Sequence, residues 1–192
     1  MPNPPSRPTI MGMRGVVAAG HYLASVAGFR ILDQGGNAVD AAAAMSFTLM
    51  VVMPHANGIG GEAPALIYSA KEKRVFCISG MGWSPKALTV EWCRQNNIDL
   101  IPPDGYLPAC VPAMVGTWAL ALARFGTMSV AQVLEPAVEL AEKGFPVYDL
   151  LHENLKRNER RFTELYPTTG NIYLPEARVP QIGEVLRNPD LA

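Results

Sequence analysis

One block constrains this chain more than any other. From Ile31 it reads Ile-Leu-Asp-Gln-Gly-Gly-Asn-Ala-Val-Asp-Ala-Ala-Ala-Ala, runs on as apolar residues to Met53, and closes with Pro54-His55-Ala56-Asn57-Gly58-Ile59-Gly60-Gly61-Glu62. Before it, Leu23, Ala24, Ala27, Ile31 and Leu32 fall on one face at helical spacing. Gly35 then stands where that helix must stop, because a left-handed residue there costs a glycine no Cβ clash. Asn37 is a good N-cap for a second helix, and the Asp40 carboxylate three residues on faces the positive end of its dipole. The second helix, Ala38 to about Met53, is apolar almost all round and so must be buried on every side. Its run of small residues, Ala41 to Ala44, lets neighbouring backbones approach closely, and Pro54 stops it.

Around this block the chain reads as one domain from residue 12 to 192, preceded by a lead-in over residues 1–11 that holds four prolines. Val16 to Ala19 has the length and character of a short strand. Ala65 to Ser69 and Arg74 to Ser79, either side of a polar Ala-Lys-Glu-Lys stretch, predict a β-hairpin. A helix containing Glu91, Trp92 and Cys93 follows, and then a proline-broken stretch. Three more helices are expected: Ala113 to Phe125, Ser129 to Lys143 with Pro136 breaking or kinking it into two pieces, and Asp149 to Thr163. Beyond Tyr166 there is no periodicity. The class is therefore mixed, α/β (α+β).

Composition removes several functions. With 16 Lys+Arg against 17 Asp+Glu there is no basic excess to hold nucleic acid or an anionic membrane surface. The longest apolar run, Ala41 to Met53, is interrupted by Ser46 and Thr48 and is far short of the roughly 20 residues of a membrane span. The first residues lack the apolar core of a secretory signal, so a cytoplasmic protein is expected. Cys77, Cys93 and Cys110 are odd in number and irregularly spaced, which suits reduced, packing-type thiols rather than disulfides. His21, His55 and His152 are too scattered for a metal site, and no cofactor motif is present. His55 reads as a loop histidine bonded to backbone, Thr168-Thr169-Gly170 as a turn, and Lys156 to Arg161 as the solvated face of a helix. The Gly58 to Gly61 run is either a tight helix-to-strand turn or a loop whose backbone lies beside a substrate.

The Ile31 to Ala42 block, Pro54-His55 and Gly58-Ile59-Gly60-Gly61 together resemble the N-terminal half of the large subunit of the gamma-glutamyltranspeptidase family. The likeness continues through Gly126 to Ala137, Leu140 to Val147, Gly183-Glu184 and Leu186 to Ala192. It implies an N-terminal-nucleophile hydrolase with an αββα sandwich, of which this chain is the N-terminal part. Such proteins are made as a precursor that cuts itself before a threonine. That threonine then heads a small subunit and attacks an amide carbonyl. By this resemblance the partner is the small subunit of the same precursor, the substrate is a small-molecule amide, and further oligomerisation stays open. The nucleophile would lie outside these residues, so the chain by itself is expected to be inactive.

One departure bears on specificity. Where the family usually reads Gly-Arg-Glu-x-Ala-Pro, its arginine binding the substrate's α-carboxylate, this chain has Gly80-Met81-Gly82-Trp83-Ser84-Pro85. A thioether cannot replace a bidentate guanidinium. The family's glycine run ending in Phe is here Gly60-Gly61-Glu62-Ala63-Pro64. The expected substrate-binding residues are Met81, Gly82, Trp83, Gly60, Gly61 and Glu62, and the expected reaction is hydrolysis of an amide with a non-gamma-glutamyl acyl group. Two alternatives stand beside it: true gamma-glutamyl transfer, with Arg94 or another cation in place of the lost contact, and a degenerate member that only binds.

Overall fold

The computed structural model describes residues 9–192. In chain order its elements are α1 (Tyr22–Asp33), α2 (Ala38–Val52), β1 (Ala65–Ser69), β2 (Arg74–Ile78), α3 (Val90–Gln95), α4 (Met114–Phe125), α5 (Val130–Lys143), β3 (Phe145–Pro146), α6 (Asp149–Glu164), α7 (Pro167–Tyr173) and β4 (Val185–Leu186). They fall into two compact units, one comprising the chain up to Asn57 together with Gly126–Ala192, the other Gly58–Phe125.

In the first unit the opening block folds as its residues dictate. Gly35 takes φ +91°, and the amides of Gly35 and Gly36 return to the carbonyls of Leu32 and Ile31, at 3.1 and 2.9 Å, closing α1. Asn37 Oδ1 accepts from the amides of Val39 and Asp40 at 2.8 and 3.2 Å, while Asp40 Oδ2 accepts from the Asn37 amide at 2.8 Å. This reciprocal pair is a capping box. α2 packs against both α1 and α5. At the α1–α2 crossing a Cβ on Gly28 would lie 2.5 Å from Met45 Cγ, so any larger residue there would have to displace the Met45 side chain. Val52, Ala141, Phe145, Val147, Leu151 and Leu186 form the centre of the core. β3 pairs antiparallel with β4, Phe145 opposite Leu186.

Four expectations about secondary structure fail in this unit. Val16 to Ala19 is not a strand, because among the described residues none pairs with it, and a strand exists only through its ladder. Pro136 does not divide α5, which is continuous. The proline removes only the bond to the Gln132 carbonyl. Against that loss stand a capping box between Ser129 and Gln132 and the burial of Val133, Pro136, Ala137 and Ala141 on one face. The stretch after Tyr166 is not irregular, and Thr168-Thr169-Gly170 is not a turn but part of α7. Pro167 at the first helical position preorganises it. Gly170 lets it settle on α6, since a Cβ there would be 2.8 Å from the Phe162 carbonyl oxygen. Of the lead-in, residues 1–8 lie outside the described residues, and 9–11 carry no helix or strand. The basic stretch is solvated only in part: Lys156, Arg157, Glu159 and Arg160 are exposed, with Arg160 paired to Glu164 at 2.9 Å, whereas Asn158 and Arg161 are half-buried and turn toward a cavity.

In the second unit β1 and β2 form the expected hairpin, Ala65 opposite Ile78 and Ser69 opposite Arg74. The guanidinium carbons of Arg74 and Arg124 lie 4.2 and 4.4 Å from the centre of the Phe76 ring, and Phe125 packs 5.0 Å from it. Thr89 Oγ1 caps α3 by accepting from the Trp92 amide at 3.1 Å. All three cysteines are free. Cys77 and Cys110 are exposed and Cys93 is half-buried, so they are not the packed interior thiols their spacing suggested. No helix among the described residues is long and apolar enough to cross a membrane.

Candidate functional site

The six residues singled out by sequence all lie in the second unit, on two loops joined backbone to backbone. The Gly61 amide closes a tight turn onto the Gly58 carbonyl at 3.0 Å. The Gly61 carbonyl in turn accepts from the amides of Ala113 and Met114, at 3.2 and 3.1 Å, where α4 begins. Two residues on, the Ala63 amide donates to the Gly80 carbonyl at 2.9 Å. Gly80 has φ +59°, and a Cβ on it would strike the Ala63 carbonyl oxygen at 2.2 Å, so the two loops meet only because residue 80 is glycine.

The second loop is held again beyond Met81. Val111 donates its amide to the Trp83 carbonyl at 2.9 Å, and a Cβ at Gly82 would fall 1.7 Å from the Val111 carbonyl oxygen. With Gly80 and Gly82 against backbone, the side chains between and after them must point elsewhere. Met81 is 58% exposed and Trp83 86% exposed. Glu62 and Gly60 are exposed on the neighbouring turn, and nothing lies within 4 Å of a Cβ placed on Gly60. The structure thus brings Met81, Gly82 and Trp83 together with the Gly60 to Glu62 turn. The side chains they expose are a thioether, an indole and one carboxylate. Arg74 and Arg124 stack on Phe76 and Arg94 is exposed at the end of α3.

The first unit holds three polar features of a different kind. Asp40 is fully buried and its carboxylate does more than cap α2. Oδ1 accepts from the amides of Thr127 and Met128, at 3.0 and 3.2 Å, and Oδ2 accepts from Thr127 Oγ1 at 2.6 Å, in addition to the Asn37 amide. Burial alone would raise its pKa. The hydrogen bonds from the Thr127 side chain and from the amides of Asn37, Thr127 and Met128 outweigh it, and the carboxyl sits below the ordinary aspartate range. Asp40 therefore ties the start of α2 to the segment that leads into α5.

His21 is the N-cap of α1: its Nδ1 accepts from the Leu23 amide at 3.2 Å. The Tyr148 ring lies 4.7 Å from His21 and 6.3 Å from His55, and the Tyr148 hydroxyl donates to the Val52 carbonyl at 3.1 Å. His55 is not bonded to backbone as its loop position suggested. Both ring nitrogens are shielded from water and neither has a partner. The turn after α2 spends its own donors, the amides of Ala56 and Asn57, on the Met53 carbonyl, and it leaves the imidazole none. Burial lowers the pKa of both rings, and the neighbouring His55 lowers His21 further. Burial raises Tyr148. Beside His55 opens a cavity of about 320 Å³, walled by α6 and α7 and reached by Asn154, Asn158, Arg161 and Thr169.

Local reading missed these roles. Histidine is not among the preferred caps, so His21 gave no signal beyond its place just ahead of an amphipathic helix. Asp40 was legible as a capping residue but not as the acceptor for residues 87 and 88 positions away.

The gamma-glutamyltranspeptidase family profile matches residues 24–192. Among curated proteins, the glutathione hydrolase-like YwrD proenzyme of Bacillus subtilis is 38% identical over 185 residues, covering 96% of this chain and 35% of that protein. The acylase ACY 1 proenzyme of Pseudomonas sp. strain SE83 is 39% identical over 190 residues, covering 94% and 34%. Among solved structures, Helicobacter pylori gamma-glutamyltranspeptidase superposes with a TM-score of 0.87 at 31% identity, over 96% of this chain and 53% of that one. The chain spans about a third of the length of the curated relatives it matches.

Proposed function

Since the chain belongs to the gamma-glutamyltranspeptidase family, we propose that residues 12–192 are the N-terminal part of the larger subunit of a self-processing amidohydrolase. In this reading a threonine outside these residues, freed as an N-terminus by self-cleavage, uses its own α-amine as base. Its Oγ attacks an amide carbonyl, and water or an amine then resolves the acyl-enzyme. The small subunit carrying that threonine is the chain's partner, and the chain alone is inactive.

Within the family, the reading assigns this protein a small amide whose acyl group is not gamma-glutamyl. The observation that carries it is Met81. At the position where the resemblance places an arginine for the substrate's α-carboxylate, the loop exposes a thioether beside Trp83. Gly80 and Gly82 press that loop onto Ala63 and Val111, so it cannot be rearranged cheaply to bring in another side chain. Met81 and Trp83 then contact the acyl group, and the Gly60 to Glu62 turn supplies backbone and one carboxylate beside it. The similarity to an acylase at 39% identity agrees with an acyl group of this kind.

The similarity to a glutathione hydrolase-like protein, at 38%, favours the second reading, true gamma-glutamyl transfer. Turnover of gamma-glutamyl-p-nitroanilide against simple acyl anilides by the complete two-subunit protein separates the two. Robust turnover of the glutamyl substrate sinks the first. A third reading, a member that binds without reacting, is tested by mass spectrometry of the full-length product. An uncleaved polypeptide with no new N-terminal threonine would establish it.

A further inference from the structure

The cavity between α6 and α7 in the first unit plays no part in the proposed reaction, and one stretch of its wall offers acceptors without donors. Asn154 and Asn158 stand one turn apart on α6, at i and i+4, so both reach the same side of the helix. Their side-chain amide nitrogens are spent on the helix itself, donating to the carbonyls of Leu150 and Asn154 at 2.8 and 2.9 Å. That fixes which end of each amide is left over: two carbonyl oxygens, acceptors only, with no partner among the described residues. Side chains at this spacing have Cβ atoms about 5–6 Å apart. A single NH₂ group, its two hydrogens diverging by about 120°, reaches two acceptors about 5 Å apart at ordinary N–H···O lengths. From α7, Thr169 faces the same cavity with a hydroxyl that bonds to no described residue. Leu155 and Phe162 supply apolar wall, and no Asp or Glu lines the space. At about 320 Å³ the cavity is at the small end of the range for ligand sites.

We infer that this cavity binds a small neutral primary carboxamide with a short branched alkyl chain. Its NH₂ group donates to the side-chain oxygens of Asn154 and Asn158, its carbonyl accepts from Thr169 Oγ1, and its alkyl chain lies against Leu155 and Phe162. Each part of that ligand answers a group already in place. An ammonium ion also carries donors, but with no carboxylate on the wall and the Arg161 charge beside it, nothing offsets its desolvation. A carboxylate has no donor for either amide oxygen, and a purely apolar molecule would leave both unmet. The ligand uses no donor of Arg161. The inference does not rest on the amidohydrolase reading, because no residue of the loops around Met81 takes part in it.

The test uses the full-length protein with labelled histidine, because His55 lines the cavity and its ring signals report occupancy. Binding is read there rather than by turnover, so this proposal and the amidohydrolase reading fail separately. Four probes are titrated: isovaleramide, its N,N-dimethyl derivative without N–H donors, isovalerate, and isopentylamine as the cation. The expected result is saturable shifts of the His55 signals with isovaleramide, binding of the dimethyl amide and of isovalerate at least about tenfold weaker, and none of the amine. Asn158→Leu should weaken isovaleramide about tenfold and leave the dimethyl amide unchanged, whereas Thr169→Val should weaken both amides. Because the four-probe comparison needs only the unsubstituted protein, it decides the matter even if a variant does not fold. No saturable shift with isovaleramide, or binding of the dimethyl amide, the acid or the amine as tight as that of isovaleramide, overturns the proposal. So does a cavity found filled by another part of the full-length chain.

Discussion

Replacing Asp40 by Asn changes one oxygen for one nitrogen in a fully buried side chain and should be among the most destabilising conservative substitutions in this fold. The carboxylate accepts from four donors: the amides of Asn37, Thr127 and Met128 and the Thr127 hydroxyl. An asparagine retains one acceptor oxygen and turns an NH₂ group toward donors that have no lone pair to offer. At least two bonds are lost, and the donors left behind sit on residues that are half-buried (Asn37, Met128) or exposed (Thr127), so water can offset only part of the loss. Hydrogen bonds to a charged group are worth about 1.5–3 kcal/mol each, so the expected loss is about 3–5 kcal/mol. Thr127→Val, which removes only the hydroxyl donor, should cost about 1–2 kcal/mol. Denaturant unfolding of the full protein at neutral pH measures both. The sign of the pH dependence follows from the lowered carboxyl pKa. Asp40 contributes stability that is complete above the ordinary aspartate value of about 4 and is lost as pH falls through its depressed folded value. The gap between the native protein and Asp40→Asn should therefore narrow in strong acid. A loss below about 1 kcal/mol, or a gap that stays constant down to pH 2, would refute the assignment of Asp40 as the tie between α2 and the α5 approach.

His21 and His55 both have lowered pKa values, so their contribution is present above the ordinary histidine value of about 6.5 and is lost as pH falls below it. His21→Asn keeps a good cap without a titrating ring, and urea midpoints between pH 7 and 5 should then fall less steeply than in the native protein. Gly82→Ala places a methyl 1.7 Å from the Val111 carbonyl oxygen and must displace that backbone. Amide hydrogen exchange at Val111 should accelerate, at a cost of about 2–4 kcal/mol, and unchanged exchange would show that the loop yields freely. Met81→Arg restores a guanidinium to the exposed loop. If the loop governs acyl specificity, hydrolysis of gamma-glutamyl-p-nitroanilide should rise about tenfold or more relative to simple acyl anilides, and an unchanged ratio would remove Met81 from the site.

Sequence by itself determined the features whose causes act within a few residues. Gly35 as a left-handed stop and Asn37 and Asp40 as a capping pair depend on groups within about a turn, the all-apolar α2 and the β1–β2 hairpin on patterns within one short stretch of chain, and the family followed from the order of such blocks. Tertiary structure decided whatever needed a distant partner. Val16 to Ala19 had strand composition but found no ladder, and Pro136 lost one helical bond inside a helix that packing and its cap hold together. Gly170 turned an irregular-looking tail into α7 by admitting the Phe162 carbonyl. Gly82, which in sequence was merely the absence of an acid, proved to be the point where one backbone touches another. Asp40 shows the division within a single residue: its cap was written three residues away, whereas its grip on Thr127 and Met128 existed only once folding brought segments 87 and 88 positions apart together around a carboxylate that is itself fully buried.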